Sequence, residues 1–155
     1  MSTWTGALKD AMVSGGAASI TSAALLALRG RKDTGSAVAP LNATSHIVYG
    51  DEALRVNRPT ARHTVVGAAL HAASGVFWGV LFEKLLRRER RPASAGAVAR
   101  NAIKATAVAA LVDLVVVPKR LTPGFERRLS GRSLWMMYGG LAAGMAVGAL
   151  LWRRR

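Results

Sequence analysis

Three histidines, two adjacent carboxylates and one carboxylate at the end of an apolar run are the residues with chemistry to offer: His46, His63, His71, Asp51, Glu52 and Asp113. Imidazole and carboxylate donors without thiolate suit zinc, copper or iron, and paired histidines can hold a haem. Their spacing matches no established ligand motif. The competing reading is structural: His63 caps a helix start and pairs with Asp51 or Glu52, while His46 sits among lipid headgroups. His71 stands apart. It lies inside an uncharged run from Thr64 to Phe82, where a polar group is costly without a partner and is a functional candidate by default. Its structural alternative is an interhelical hydrogen bond to Ser19, Ser22, Thr106 or a backbone carbonyl, worth on the order of 1 kcal/mol. Asp113 reads as a proton or ion ligand, or as a shallow ion pair with Arg55, Arg58, Arg62 or Lys119. Glu83 and Lys104 form a second candidate pair near the opposite surface. Cysteine is absent, which removes disulfides, thiolate metal sites and cysteine nucleophiles. No serine-hydrolase elbow, catalytic carboxylate pair within one helix, P-loop or dinucleotide fingerprint occurs. The sequence therefore nominates no catalytic residue, which points away from an enzyme without excluding one.

The elements that must position these groups are apolar helices. Spans are expected at about 8–28, 64–83, 101–117 and 134–152, each near the roughly 20 residues that cross a bilayer core. A shorter piece, 40–49, opened by Pro40 and stopped by Gly50, is too short to span and is expected in the interface or as a re-entrant segment. The expected fold is all-α, a single-domain integral membrane four-helix bundle over residues 1–155. Gly140, Gly144 and Gly148 make two overlapping GxxxG units, and steps of four from His63 pass through Gly67, His71, Gly75 and Gly79 to Glu83. Such rows let helix backbones approach closely. Each four-residue step drifts about 40° on a 3.6-residue helix, so His63 and Glu83 finish on different faces and the contact centres on Gly67, His71 and Gly75. Asp113 is about 9 Å of helix from Lys119, and His71 lies about 12 Å deeper than His63, at a rise near 1.5 Å per residue.

A net charge of +14, from 22 Lys and Arg against 8 Asp and Glu, would suggest nucleic acid in a soluble chain. Here the cations sit beside the apolar runs, as Arg87, Arg88, Arg90 and Arg91 and as Arg153, Arg154 and Arg155. That placement fits snorkelling and anionic lipid headgroups rather than nucleic acid. With 51% hydrophobic residues and mean hydropathy +0.23, an ordinary soluble globule is disfavoured. The richness in Ala, Arg and Gly suggests a bacterial source. Lys and Arg divide eleven to eleven between the two sides of a four-span topology, so the positive-inside rule sets no orientation, and an antiparallel dual-topology dimer fits the balance.

The stretches Asn42 to Glu52 (NATSHIVYGDE), Arg58 to Glu83 (RPTARHTVVGAALHAASGVFWGVLFE) and Asp113 to Glu126 (DLVVVPKRLTPGFE) resemble those of small four-helix inner-membrane proteins of bacteria, a family with no known activity. The resemblance implies the fold and an inner-membrane location, and no function. The membrane-embedded Glu expected in helix one of small multidrug exporters is missing. Three functional expectations follow. The first is an interaction or accessory subunit that self-associates, or packs on a larger membrane complex, through its glycine rows. The second is an oligomeric proton, ion or small-solute transporter or channel using His71 and Asp113. The third is a metal or haem protein using His46, His63 and His71, with Asp51 and Glu52 as further ligands; no cofactor at all is the simpler expectation.

Overall fold

The computed structural model describes residues 4–89 and 94–153. The described residues are 82% helical, with no strand among them. Arg90, Arg91, Arg154 and Arg155, expected at the lipid surface, lie outside the described residues.

The helices outrun their expected limits for local reasons. Helix α1 covers Trp4–Thr34. Arg31 and Lys32 occupy its last turn, where cations oppose the partial negative charge of the C-terminus and do not stop the helix. It stops where Gly35 takes φ +74° and donates its N–H to Arg31 O at 3.1 Å, a left-handed cap that glycine adopts without steric cost. The piece expected at 40–49 is two helices, α2 (Ala39–Thr44) and α3 (His46–Tyr49), joined at Ser45 and ended by Gly50. A 3-10 turn, Asp51–Arg55, follows.

A π turn over Ala61–Val65 leads into α4, Val66–Leu86. Helix α5, Ala95–Leu111, starts before the expected 101 because Ser94 Oγ accepts the Ala97 N–H at 3.2 Å, which satisfies one of the unpaired first-turn donors. A second π turn, Val112–Val116, closes it. The chain then becomes extended at Val117, before Pro118, as the ring of a following proline requires. A 3-10 turn at Phe125–Arg127 precedes α6, Gly131–Trp152. Among the described residues three helical stretches are long and apolar enough to cross a membrane: Trp4–Thr34, Ala61–Leu86 and Gly131–Trp152.

The chain forms two compact units. The first comprises Met1–Ser22, Ala72–Ala109 and Gly139–Arg155. Its part of α1 buries Ala7, Ala11, Ser14, Gly15, Ala18, Ser19 and Ser22, a seven-residue pattern built only of small side chains. Partners come within backbone distance: a Cβ on Gly15 would lie 2.5 Å from Gly75 O, one on Gly79 2.9 Å from Gly15 Cα, and one on Gly144 2.6 Å from Ala18 Cα. The glycine rows of α4 and α6 thus close on α1 within this unit. Phe82, Val98 and Met145 fill the remaining space, fully buried.

The second unit comprises Ala23–His71 and Ala110–Tyr138. Leu26, Phe125, Leu129 and Met137 are large buried apolar groups there, and polar side chains supply much of the rest. In both units polar side chains share the interior with apolar ones, and large apolar side chains face outward. Ser14, Ser22, Asn42, Ser45 and His46 are wholly buried, while Ile20 (74%), Phe77 (65%), Val115 (73%) and Trp135 (80%) face outward.

Candidate functional site

In the second unit the residues flagged for chemistry become parts of a hydrogen-bonded network. Thr60 is extended, and its Oγ1 accepts the His63 N–H at 3.0 Å while its own N–H donates to Thr64 Oγ1 at 2.9 Å. Thr64 Oγ1 donates in turn to Asn42 Oδ1 at 2.7 Å, and Asn42 Nδ2 donates to Val56 O at 2.9 Å and Arg58 O at 3.0 Å. One buried amide therefore ties α2 to the loop ahead of α4. His63 Nδ1 lies 3.0 Å from Ser45 Oγ, whose hydrogen goes to Asn42 O at 2.7 Å. A hydroxyl has one hydrogen to give, so His63 Nδ1 carries the hydrogen and donates to Ser45.

His46 is fully buried, and its Nε2 donates to Thr122 O at 2.8 Å, the carbonyl being only an acceptor; its Nδ1 has no partner. Neither histidine pairs with Asp51 or Glu52. Asp51 receives Arg127 at 3.4 Å and Glu52 receives Arg62 at 2.9 Å. Arg62 also lies over the Tyr49 ring at 4.5 Å, and the His63 ring meets Tyr49 edge-on at 5.3 Å. Among the described residues no three His, Asp or Glu are placed to hold a metal ion. Of the five residues expected as a ligand set, His46, His63, Asp51 and Glu52 each meet a separate partner.

His71 is buried and presents its ring at 6.5 Å to Phe125, whose other neighbour is Tyr138 at 6.4 Å. The Tyr138 hydroxyl donates to Asp113 Oδ2 at 3.2 Å. That neutral partner takes the place of the arginine or lysine expected for Asp113. Both π turns carry one of the flagged groups, His63 and Asp113, and such turns recur at functional sites. Beside Asp113, Asp51, Leu114, Lys119, Arg120, Thr122, Glu126 and Arg127 line an open cleft of about 720 Å³. Glu126 Oε2 is a buried acceptor without a partner.

The first unit holds a separate set of charges. Asp10 accepts from Arg87, and from Trp152 Nε1 at 3.1 Å. Glu83, 1% exposed, takes Arg153 at 2.6 Å rather than Lys104. Arg87 and Arg153, expected to face lipid, are each held by a carboxylate, whereas Arg88 is exposed. Glu89 accepts from Asn101 and Arg100, and these donors hold its carboxyl below the usual range. Asn42, Ser45, Phe125, Glu126 and Asp10 were not singled out from sequence. Asn42 and Ser45 lie within the short helical piece opened by Pro40, which is the one local signal that their side chains serve backbone groups. The others come together only through long-range packing.

The chain matches no protein-family model, no curated protein and no solved structure.

Proposed function

We propose that the chain is a multi-pass protein of the bacterial inner membrane. In this reading it is a four-helix bundle with α2 and α3 at the interface or re-entrant, acting as an interaction or accessory subunit that self-associates or packs on a larger membrane complex. The observation that carries the membrane reading is the distribution of side chains: serine, asparagine and histidine are buried beside apolar groups, while Ile20, Phe77, Val115 and Trp135 face outward. Polar and small residues between helices with apolar residues outside is the arrangement lipid favours, since lipid offers polar groups no partners.

The association surface differs from the one expected. Gly75, Gly79, Gly144 and Gly148 are occupied by α1 of the same chain, Gly67 by the Leu41 carbonyl, and Gly140 O accepts from Thr21. The adjacent row on α6, Gly139, Ala143, Val147 and Leu151, is exposed, and nothing lies within 4 Å of where a Cβ on Gly139 would sit. A glycine in an exposed helix costs about 1 kcal/mol relative to alanine, a cost that close approach of a second helix offsets. A second reading, an oligomeric proton or ion path, draws on Asp113, which sits in a π turn against the Tyr138 hydroxyl.

Reconstitution tests both. The chain should remain in membranes after an alkaline carbonate wash. It should run in mild detergent as an oligomer, or with larger subunits, and Gly139→Leu with Ala143→Leu should abolish that association. A monomer without partners in the wild type would sink the subunit reading. Proton flux in proteoliposomes, lost in Asp113→Asn and His71→Ala, would establish the second reading in its place.

A further inference from the structure

The cleft of the second unit combines three features that no single structural role accounts for. Its cations are unevenly used. Arg127 is taken by Asp51 at 3.4 Å, by Glu126 at 3.8 Å and by Lys119 O at 3.0 Å. Lys119 and Arg120 have no carboxylate within ion-pair distance among the described residues, and Arg120 makes only a long bond, 3.4 Å, to Val48 O. Two adjacent exposed cations on one wall of a cleft leave a place for a doubly hydrogen-bonded anion.

On the opposite chemical side, Glu126 Oε2 is a buried acceptor with no donor. The Glu126 carboxylate lines the cleft, and its other oxygen meets Arg127 only at 3.8 Å, so the group can accept from a ligand carrying its own hydroxyl or ammonium. Finally, Leu114 lines the cleft, and Val115, Val116 and Leu121 beside it are exposed at 73%, 64% and 53%. The charged walls therefore open onto an apolar surface. The volume, about 720 Å³, falls in the range of small-ligand sites.

We propose that this cleft binds a phosphate ester that carries a neighbouring hydrogen-bond donor, with the phosphate on Lys119 and Arg120 and the donor at Glu126. A phospholipid headgroup has this chemistry, and so does a soluble glycerol phosphate. The apolar rim and the membrane reading above favour the lipid, and that choice of source rests on the reading.

The test uses the full chain in detergent, titrated calorimetrically with dihexanoyl phosphatidylglycerol and separately with glycerol 3-phosphate. Phosphatidylglycerol should bind, and Lys119→Ala with Arg120→Ala should weaken it about tenfold or more, the scale of losing a charge-assisted bond. Glu126→Ala should narrow the preference for phosphatidylglycerol over a phosphate methyl ester lacking the donor. Arg31→Ala with Lys32→Ala, removing two exposed cations elsewhere, should change nothing. Glycerol 3-phosphate binding as tightly as the lipid would assign the site to a soluble ester. Binding absent in the wild type, or lost equally in both double variants, overturns the proposal. Carbonate extraction on the same variants keeps the two readings separate: a chain that washes off the membrane yet binds glycerol 3-phosphate through Lys119 and Arg120 loses the membrane reading and keeps the site. Circular dichroism of each variant controls for folding.

Discussion

The two units are stabilised by opposite means. In the first, close approach depends on side chains that are missing: Gly15, Gly75, Gly79, Gly144 and Gly148 let backbones touch, and its hydroxyls mostly bond carbonyls of their own helix, as Ser14 does to Asp10 and Ser22 to Ala18. In the second, side chains reach across the sequence to satisfy backbone groups, as Asn42 does for Val56 and Arg58, and His46 for Thr122. The first device exploits van der Waals contact between regular helices, the main attraction left when apolar burial drives nothing. The second is needed where the chain leaves regular helix, because α2, α3 and the turns at 51–55 and 125–127 leave carbonyls and N–H groups without helical partners. Gly67, where a Cβ would lie 1.9 Å from Leu41 O, is one point at which the second unit uses the first unit's device.

The largest effect is expected at Asn42. Asn42→Ala removes three hydrogen bonds at once and leaves the Thr64 hydroxyl and two carbonyls to find other partners. At roughly 1 kcal/mol for each bond, the loss should be about 3 kcal/mol in reversible unfolding in detergent, with the loop 56–60 becoming the first segment to exchange its amide hydrogens. A loss below about 1 kcal/mol would mean that the second unit is held by apolar packing after all.

The partners within this network were not legible in the sequence. Asn42 in the string PLNATSH looks like any polar residue of a short helix, and its partners at 56, 58 and 64 lie beyond the reach of periodicity. By contrast the helices of the first unit could be read from their apolar runs alone. What spacing did not give was the partner: a small-residue row packs equally well against its own chain or another copy, and the structure puts α1 against Gly75, Gly79, Gly144 and Gly148. The exposed row at Gly139 differs from the buried one at Gly140 by a single residue, about 100° on a helix. For the candidate site, the histidines and Asp113 could be flagged by type, but their real partners, Ser45, Thr122 and Tyr138, depend on where loops land.

A smaller effect, of opposite sign at neighbouring positions, sharpens the account of the first unit. A Cβ at Gly15 would meet backbone on both counts, 2.5 Å from Gly75 O and 2.7 Å from Val76 Cα, whereas nothing lies within 4 Å at Gly16. Alanine at Gly15 should overpack by about 3 kcal/mol, offset by about 1 kcal/mol of helix propensity, for a net loss near 2 kcal/mol. Alanine at Gly16 should be neutral or stabilising by up to about 1 kcal/mol. Equal effects at the two sites would show that backbone approach is not what holds this unit.

The smallest effect separates contact from hydrogen bonding within one pair. Ser19 Oγ lies 3.0 Å from Gly15 O and 3.3 Å from Ala72 O, and its single hydrogen cannot serve both well. Removing it in Ser19→Ala leaves Gly15 O in its own helical ladder, so the cost should be only about 0.6 kcal/mol, the usual value for such bonds between membrane helices. The same oxygen sits in the notch left by Gly75, where a Cβ would come within 1.9 Å of it. Gly75→Ala should therefore be strongly destabilising alone and much less so in the Ser19→Ala background, since the contacts then remaining are 3.0 Å to Gly15 O and 3.2 Å to Ser19 Cβ, which a shift of a few tenths of an ångström relieves. A double-mutant cycle should return a favourable coupling of about 1 kcal/mol or more. Additive losses would instead mean that the hydroxyl stabilises this crossing as a bond, and that the two units are held by the same means.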